Sequence, residues 1–346
     1  MIQRVKSVFM VLVILLMASF SLDATIVLAD SPQDTLFQQD STEFNLDLAR
    51  FSLSLCQAAY GDTSANVEKV LASYGFVNDT VYDSGSYKNS SKLGTDLVGY
   101  SFAHKRLVCG GKDFTLVSVV IRGTSGDSEW ISNFNINDSG SSPAIHEGFR
   151  KAEKSLLVSL NNYVKSLNSD KTDTKFLITG HSRGAAVANL LAADLSQSEQ
   201  LAAQSNIYGY TFATPNVAKI ASNNYLNIFN AVNPADIVTE IPLAKWGYSR
   251  YGVTYSLPDI SQVNGETLAA TQKILSQLET MAPTVQDFYN AKLSLLFLKE
   301  NLIPAGTANV HAPQAYMKQL TTADPDKLLK VISDLQLKLL PDTNYA

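Results

Sequence analysis

Between Phe44 and Tyr60, apolar side chains at Leu46, Leu48, Ala49, Phe51, Leu53, Leu55, Cys56 and Ala59 form one broad stripe. That spacing predicts an amphipathic helix. Ser41 or Thr42 stands where such a helix is capped, and Gly61 where it stops. A shorter helix is expected over 65–74, ending at Gly75. The period then shortens to two: 96–108 and 113–121 are β-rich, and the CGGK turn at 109–112 joins them as a hairpin. Beyond it, helix and strand alternate. Helices are expected over 146–167 and 183–195, and strands over 175–179, 206–213 and 225–232. This alternation predicts an α/β fold with a mainly parallel central sheet flanked by helices. A long helical stretch, about 265–302 with a break at Pro283, interrupts the pattern. No internal repeat is visible, so 30–346 is expected to be a single domain carrying a helical insertion.

The first residues read as an address. Arg4 and Lys6 precede an apolar run from Val8 to Phe20, and Asp23 interrupts it. A membrane span needs about 20 apolar residues. Val27, Leu28 and Ala29 then form a signal-peptidase site, so 1–29 is expected to be a secretory signal peptide, with no integral membrane span left after its removal and a secreted, extracellular product.

Composition narrows the function. With 45% apolar and 17% charged residues, the chain is globular rather than disordered. Against 32 acidic residues stand 27 basic ones, in no cluster able to neutralise phosphates, so no nucleic-acid partner is expected. Two cysteines, Cys56 in an expected helix and Cys109 at the end of an expected strand, allow at most one bridge, and two unpaired buried thiols are favoured over it; with four scattered histidines they show no zinc pattern, and no metal is expected.

The chemistry is carried by Gly180-His181-Ser182-Arg183-Gly184, between the apolar strand KFLIT and the helix AAVANLL. A strand-to-helix turn of the form G-x-S-x-G forces the serine into a strained conformation, and Gly180 and Gly184 relieve the crowding around it. Ser182 is therefore the expected nucleophile. In this arrangement the acid and then the histidine follow the serine in the chain. Of His104, His146, His181 and His311, His311 alone lies beyond Ser182, in a stretch that reads as a loop. The adjacent His181 should point away from the serine. Among the carboxylates between them, Asp236 is favoured because it follows a strand end; Asp259 and Glu240 remain alternatives.

These motifs resemble the class 3 (fungal-type) lipases of the α/β-hydrolase superfamily over about 44–316. The matching pieces are AAYGD after the first helix, VVIRGT (119–124), EWISNF (129–134), HEGF (146–149), GHSRG, YTFATPNVA (210–218), NPADIVTEIP and VHAPQAY with His311 and Tyr316. The resemblance implies an oxyanion hole formed by Thr124 with the N–H of Arg183, and a lid carrying Trp130, Ile131 and Phe134, residues that would otherwise simply be core. It implies a serine hydrolase of lipid esters that needs no cofactor and acts at a lipid–water interface. Phospholipase A1 and soluble-ester esterase are the alternatives within that class, and a non-catalytic binding protein is the alternative outside it. About 75 residues separate Asp236 from His311, more than the core fold requires, and the helical insertion fills them.

Overall fold

A computed structural model describes residues 34–76, 82–90, 97–124, 145–257, 262–290, 307–324 and 328–331. The expected signal peptide and the lid residues Trp130, Ile131 and Phe134 lie outside them, as does Asp259.

Helix α1 (Leu46–Ala58) is capped by Asn45, whose side-chain oxygen accepts the Leu48 N–H at 2.9 Å. Ser41 and Thr42 do not serve; the Thr42 N–H and hydroxyl are both taken by the Asp40 carboxylate, at 2.9 and 2.8 Å. Nor does Gly61 end the helix, which closes at Ala59 in a right-handed conformation. The Gly61 carbonyl instead accepts Arg122 Nη1 at 3.0 Å, tying this turn to the central sheet. Helix α2 (Ala65–Ser73) does stop as expected, with Gly75 at φ +76° just beyond it.

Strands β1 (Tyr100–Cys109) and β2 (Lys112–Ile121) form the expected hairpin, and Gly110 and Gly111 take the positive φ that its two-residue turn requires. The chain continues through α3 (Glu147–Ser166), β3 (Thr174–His181), α4 (Arg183–Ser198), β4 (Ile207–Phe212), β5 (Ala218–Lys219), β6 (Ile228–Val232), β7 (Tyr248–Ser249) and β8 (Val253–Ser256). It then runs into α5 (Gln262–Met281), α6 (Val285–Asn290), α7 (Thr307–His311), α8 (Pro313–Thr322) and β9 (Leu329–Val331). The seven-stranded sheet has the order β1-β2-β3-β4-β6-β8-β9. Strands β2, β3, β4, β6 and β8 are parallel, and the two outer strands are antiparallel to their neighbours. With helices on both faces and a serine turn after β3, this is the α/β-hydrolase fold.

Alternation along the strands sorts the core into two layers. Leu116, Val120, Leu177, Tyr208, Tyr210 and Phe212 face α1, α2 and α8. Val117, Val119, Ile121, Phe176, Ile178 and Ile207 face α3 and α4. Helix α4 comes close to the sheet because its inner side is largely alanine, and a Cβ at Gly209 on the strand below would sit 3.3 Å from the Ala192 methyl. Helices α5 and α6 occupy the described part of the expected insertion. They bury Ile274, Leu278, Val285 and Phe288 against Ile237, Leu243 and Trp246. The Trp246 indole N–H donates to the Ala282 carbonyl at 2.9 Å, and the Thr271 hydroxyl to the Ala235 carbonyl, also at 2.9 Å.

Candidate active site

At the end of β3 the chain reverses into α4, and Ser182 at the bend has φ +59° and ψ −129°. That conformation costs a residue bearing a Cβ about 1–3 kcal/mol. Tight surroundings impose it. A Cβ at Gly180 would collide with the Gly184 carbonyl, and one at Gly184 with the Ile121 carbonyl on β2. The Ser182 N–H is held by the Phe212 carbonyl of β4 at 3.0 Å. Although Ser182 occupies the N-cap position of α4, its side chain makes no capping bond. Its hydroxyl donates instead to His311 Nε2 at 2.9 Å.

His311 is the last residue of the short helix α7 and not part of a loop. Its opposite nitrogen, Nδ1, donates to Asp236 Oδ2 at 2.8 Å. Asp236 stands in the turn after β6 and is fully buried. Its Oδ1 accepts the Val238 N–H at 3.1 Å, capping a 3₁₀ turn over Ile237–Glu240, while its Oδ2 also accepts the Tyr316 hydroxyl at 2.8 Å. Burial, with the carboxylate alongside, pushes the Tyr316 phenol well above its usual pKa, so it remains a neutral donor. Glu240, the alternative acid, accepts the Thr239 hydroxyl at 3.3 Å, and His311 turns to Asp236.

Thr124 stands three residues past the end of β2, which pairs in parallel with β3 through Ile121 and Gly180. Both strands therefore deliver their following loops to the same end of the sheet. Contact between those loops is close: a Cβ at Gly123 would strike the Tyr60 hydroxyl and lie 2.7 Å from the His181 carbonyl. Arg183 opens α4, so its N–H belongs to the first helical turn, whose donors suit a developing anion. Its guanidinium lies over the Phe149 ring, 5.8 Å from the centroid.

Sequence reasoning missed the surroundings of the histidine. His181 does not bond the serine; its Nδ1 accepts the Tyr60 hydroxyl at 2.7 Å and its Nε2 donates to the His311 carbonyl at 2.9 Å. Asn233 Nδ2 donates to the neighbouring Val310 carbonyl at 3.4 Å. The motif strings contained Tyr60 and Tyr316, but nothing in their spacing linked either to the serine turn. The two cysteines are not joined in a disulfide, and Cys56 is buried against the Thr179 hydroxyl at 3.2 Å.

Residues 118–246 match the family model for lipase (class 3). This stretch is similar to the class 3 lipase family. It takes in β3, the serine turn and Asp236, while His311 lies beyond it. Among individual proteins, the chain is 31% identical over 183 residues to a lipase of Rhizomucor miehei, covering 50% of this chain and 49% of that one. It is 26% identical over 247 residues to the secreted mono- and diacylglycerol lipase 1 of Fusarium solani, covering 68% and 69%. The chain thus spans about half the length of the Rhizomucor relative. A solved structure of a deletion mutant of the Rhizomucor miehei lipase in complex with its propeptide aligns at 24% identity and a TM-score of 0.47, covering 62% of this chain and 67% of that one. Among the described residues, no helix is long and apolar enough to cross a membrane.

Proposed function

We propose that this protein is a secreted serine hydrolase that cleaves the carboxylic esters of lipids, as a triacylglycerol lipase does, through Ser182, His311 and Asp236. The observation that carries the reading is the pair of bonds on one imidazole, 2.9 Å to the Ser182 hydroxyl and 2.8 Å to the buried Asp236 carboxylate. His311 Nε2 takes the serine proton as Oγ attacks the ester carbonyl. Asp236 holds Nδ1–H in place and balances the imidazolium that forms. Thr124 and the Arg183 N–H receive the oxyanion. The proton on Nε2 then goes to the departing alcohol, leaving an acyl-serine, and water attacks it by the same route in reverse order.

The remaining parts of the reading are a signal peptide over 1–29, one hydrolase domain over 30–346 with its helical insertion at about 265–302, and a lid carrying Trp130, Ile131 and Phe134. Secretion is supported by the leader-like sequence of 1–29 and by the name of the Fusarium relative. No cofactor enters the chemistry.

Hydrolysis of p-nitrophenyl esters from acetate to palmitate, of emulsified triglyceride and of phosphatidylcholine tests the reading, with Ser182→Ala as control. The expected result is a long-chain and triglyceride activity that falls on the order of a thousandfold in the variant. Preference for phosphatidylcholine would make the protein a phospholipase, and activity confined to acetate a soluble-ester esterase. An activity equal in both proteins would sink the mechanism.

A further inference from the structure

The element that carries His311 is slight. Helix α7 has five residues, and Ala312 in extended conformation separates it at once from α8. The last carbonyls of any helix lie beyond its own hydrogen bonding. Here two of them are taken by side chains that neighbour the other two members of the site: Asn233, in the turn that carries Asp236, holds the Val310 carbonyl, and His181, the last residue of β3 and next to Ser182, holds the His311 carbonyl. The second bond fixes the main-chain carbonyl of the residue whose imidazole must span 2.9 Å to Ser182 and 2.8 Å to Asp236.

We propose that His181 is a positioning residue, that its Nε2–H anchors the main chain of His311, and that Tyr60 fixes the tautomer which makes this anchor work. The proposal rests on the hydrolase reading above for its kinetic consequences, and on geometry alone for the tautomer. A carbonyl oxygen only accepts, so His181 Nε2 must carry the proton. The neutral ring then presents a lone pair at Nδ1, and the Tyr60 hydroxyl fills it at 2.7 Å. Burial, and then the facing His311, drive the His181 pKa well below 6.5 and keep the ring uncharged.

Neutrality matters because the His181 and His311 rings stand 4.9 Å apart. A second cation there would oppose the proton that His311 must accept. The groups facing His181 fit this requirement. Tyr60 approaches edge-on at 5.6 Å and Tyr316 at 5.7 Å, and burial raises the pKa of both phenols, so neither brings a charge.

The test combines kinetics with ¹⁵N NMR of the histidines in the intact protein. His181→Phe keeps a ring but loses the donor; we expect kcat to fall about ten- to hundredfold with KM unchanged, the scale of a small misplacement of a reacting group. His181→Gln puts an amide N–H near the Nε2 position and should recover kcat to within about threefold of wild type. Wild-type His181 should be protonated on Nε2 at neutral pH, and Tyr60→Phe should admit the Nδ1–H form. A wild-type Nδ1–H tautomer would overturn the proposal, whether or not His181→Phe folds. Full activity in His181→Phe, or no recovery in His181→Gln, would do the same. Should wild type show no hydrolysis that Ser182→Ala removes, the hydrolase reading fails while the tautomer result stands by itself.

Discussion

The Tyr316 hydroxyl and His311 Nδ1 end on the same oxygen of Asp236, each at 2.8 Å. Tyr316 also accepts the Asn233 N–H at 3.1 Å, so one phenol joins α8 to the turn that carries the acid. Tyr316→Phe removes a hydrogen bond to a charged, fully buried carboxylate and leaves the Asn233 N–H without that acceptor. Such a loss costs about 1.5–3 kcal/mol. Urea denaturation should show that loss, and kinetics should show a lower kcat with little change in KM. Unchanged stability and unchanged kcat would mean that the phenol contributes nothing to holding Asp236.

Two glycines should respond oppositely to alanine. At Gly184 the new Cβ meets the Ile121 and Arg122 backbone, which cannot move without displacing β2. At Gly265, exposed within α5, a Cβ meets nothing within 4 Å. Gly184→Ala should lower Tm sharply or prevent folding, and Gly265→Ala should raise stability by about 0.5–1 kcal/mol, the ordinary gain of alanine over glycine in a helix. Thermal melts of the two variants check both signs.

The serine turn was legible in the sequence because its constraint is local: a strand, two glycines and a helix occur within a dozen residues. The α/β layering was legible because β1 to β4 and the helices between them have clear periods. Shorter pieces were not. Strands β5, β7, β8 and β9 have two to four residues, too few to show alternation, and are formed by their neighbours. Helix α1 ends short of Gly61, whose carbonyl goes to the Arg122 guanidinium 61 positions away, a partner no local pattern records. Asp236 could be ranked by its place after a strand, but its bonds to His311 and Tyr316 span 75 and 80 positions, and no local pattern records them.

Acid should weaken the fold through His181. Its folded pKa is depressed below the ordinary 6.5, so the unfolded chain takes the proton first. Stability contributed by the neutral ring is therefore present above pH 6.5 and lost as pH falls below it, by up to about 1.4 kcal/mol per pH unit for one proton. His311 faces the same ring and is present in both proteins, so the difference between wild type and His181→Gln isolates His181. Denaturation from pH 7.5 to 5 should give a steeper decline for wild type; parallel curves would contradict a buried neutral histidine.

Cys56 should resist thiol reagents until the protein unfolds. Burial pushes its thiol up to about 12, leaving almost no thiolate at pH 8, and its sulfur packs against Thr179 beneath the serine turn. Titration with a disulfide reagent should label at most one thiol, Cys109, in native protein and both in urea. Rapid native labelling of Cys56 would show that α1 leaves the sheet easily.

The central claim is that Ser182 is the nucleophile, and covalent trapping tests it most directly. Incubation with an organophosphate ester such as diethyl p-nitrophenyl phosphate, followed by peptide mass spectrometry, should place one diethylphosphoryl group on Ser182, with loss of esterase activity in the same proportion. Ser182→Ala should take up none. Labelling at another residue with parallel inactivation, or full activity in protein phosphorylated at Ser182, would contradict the account.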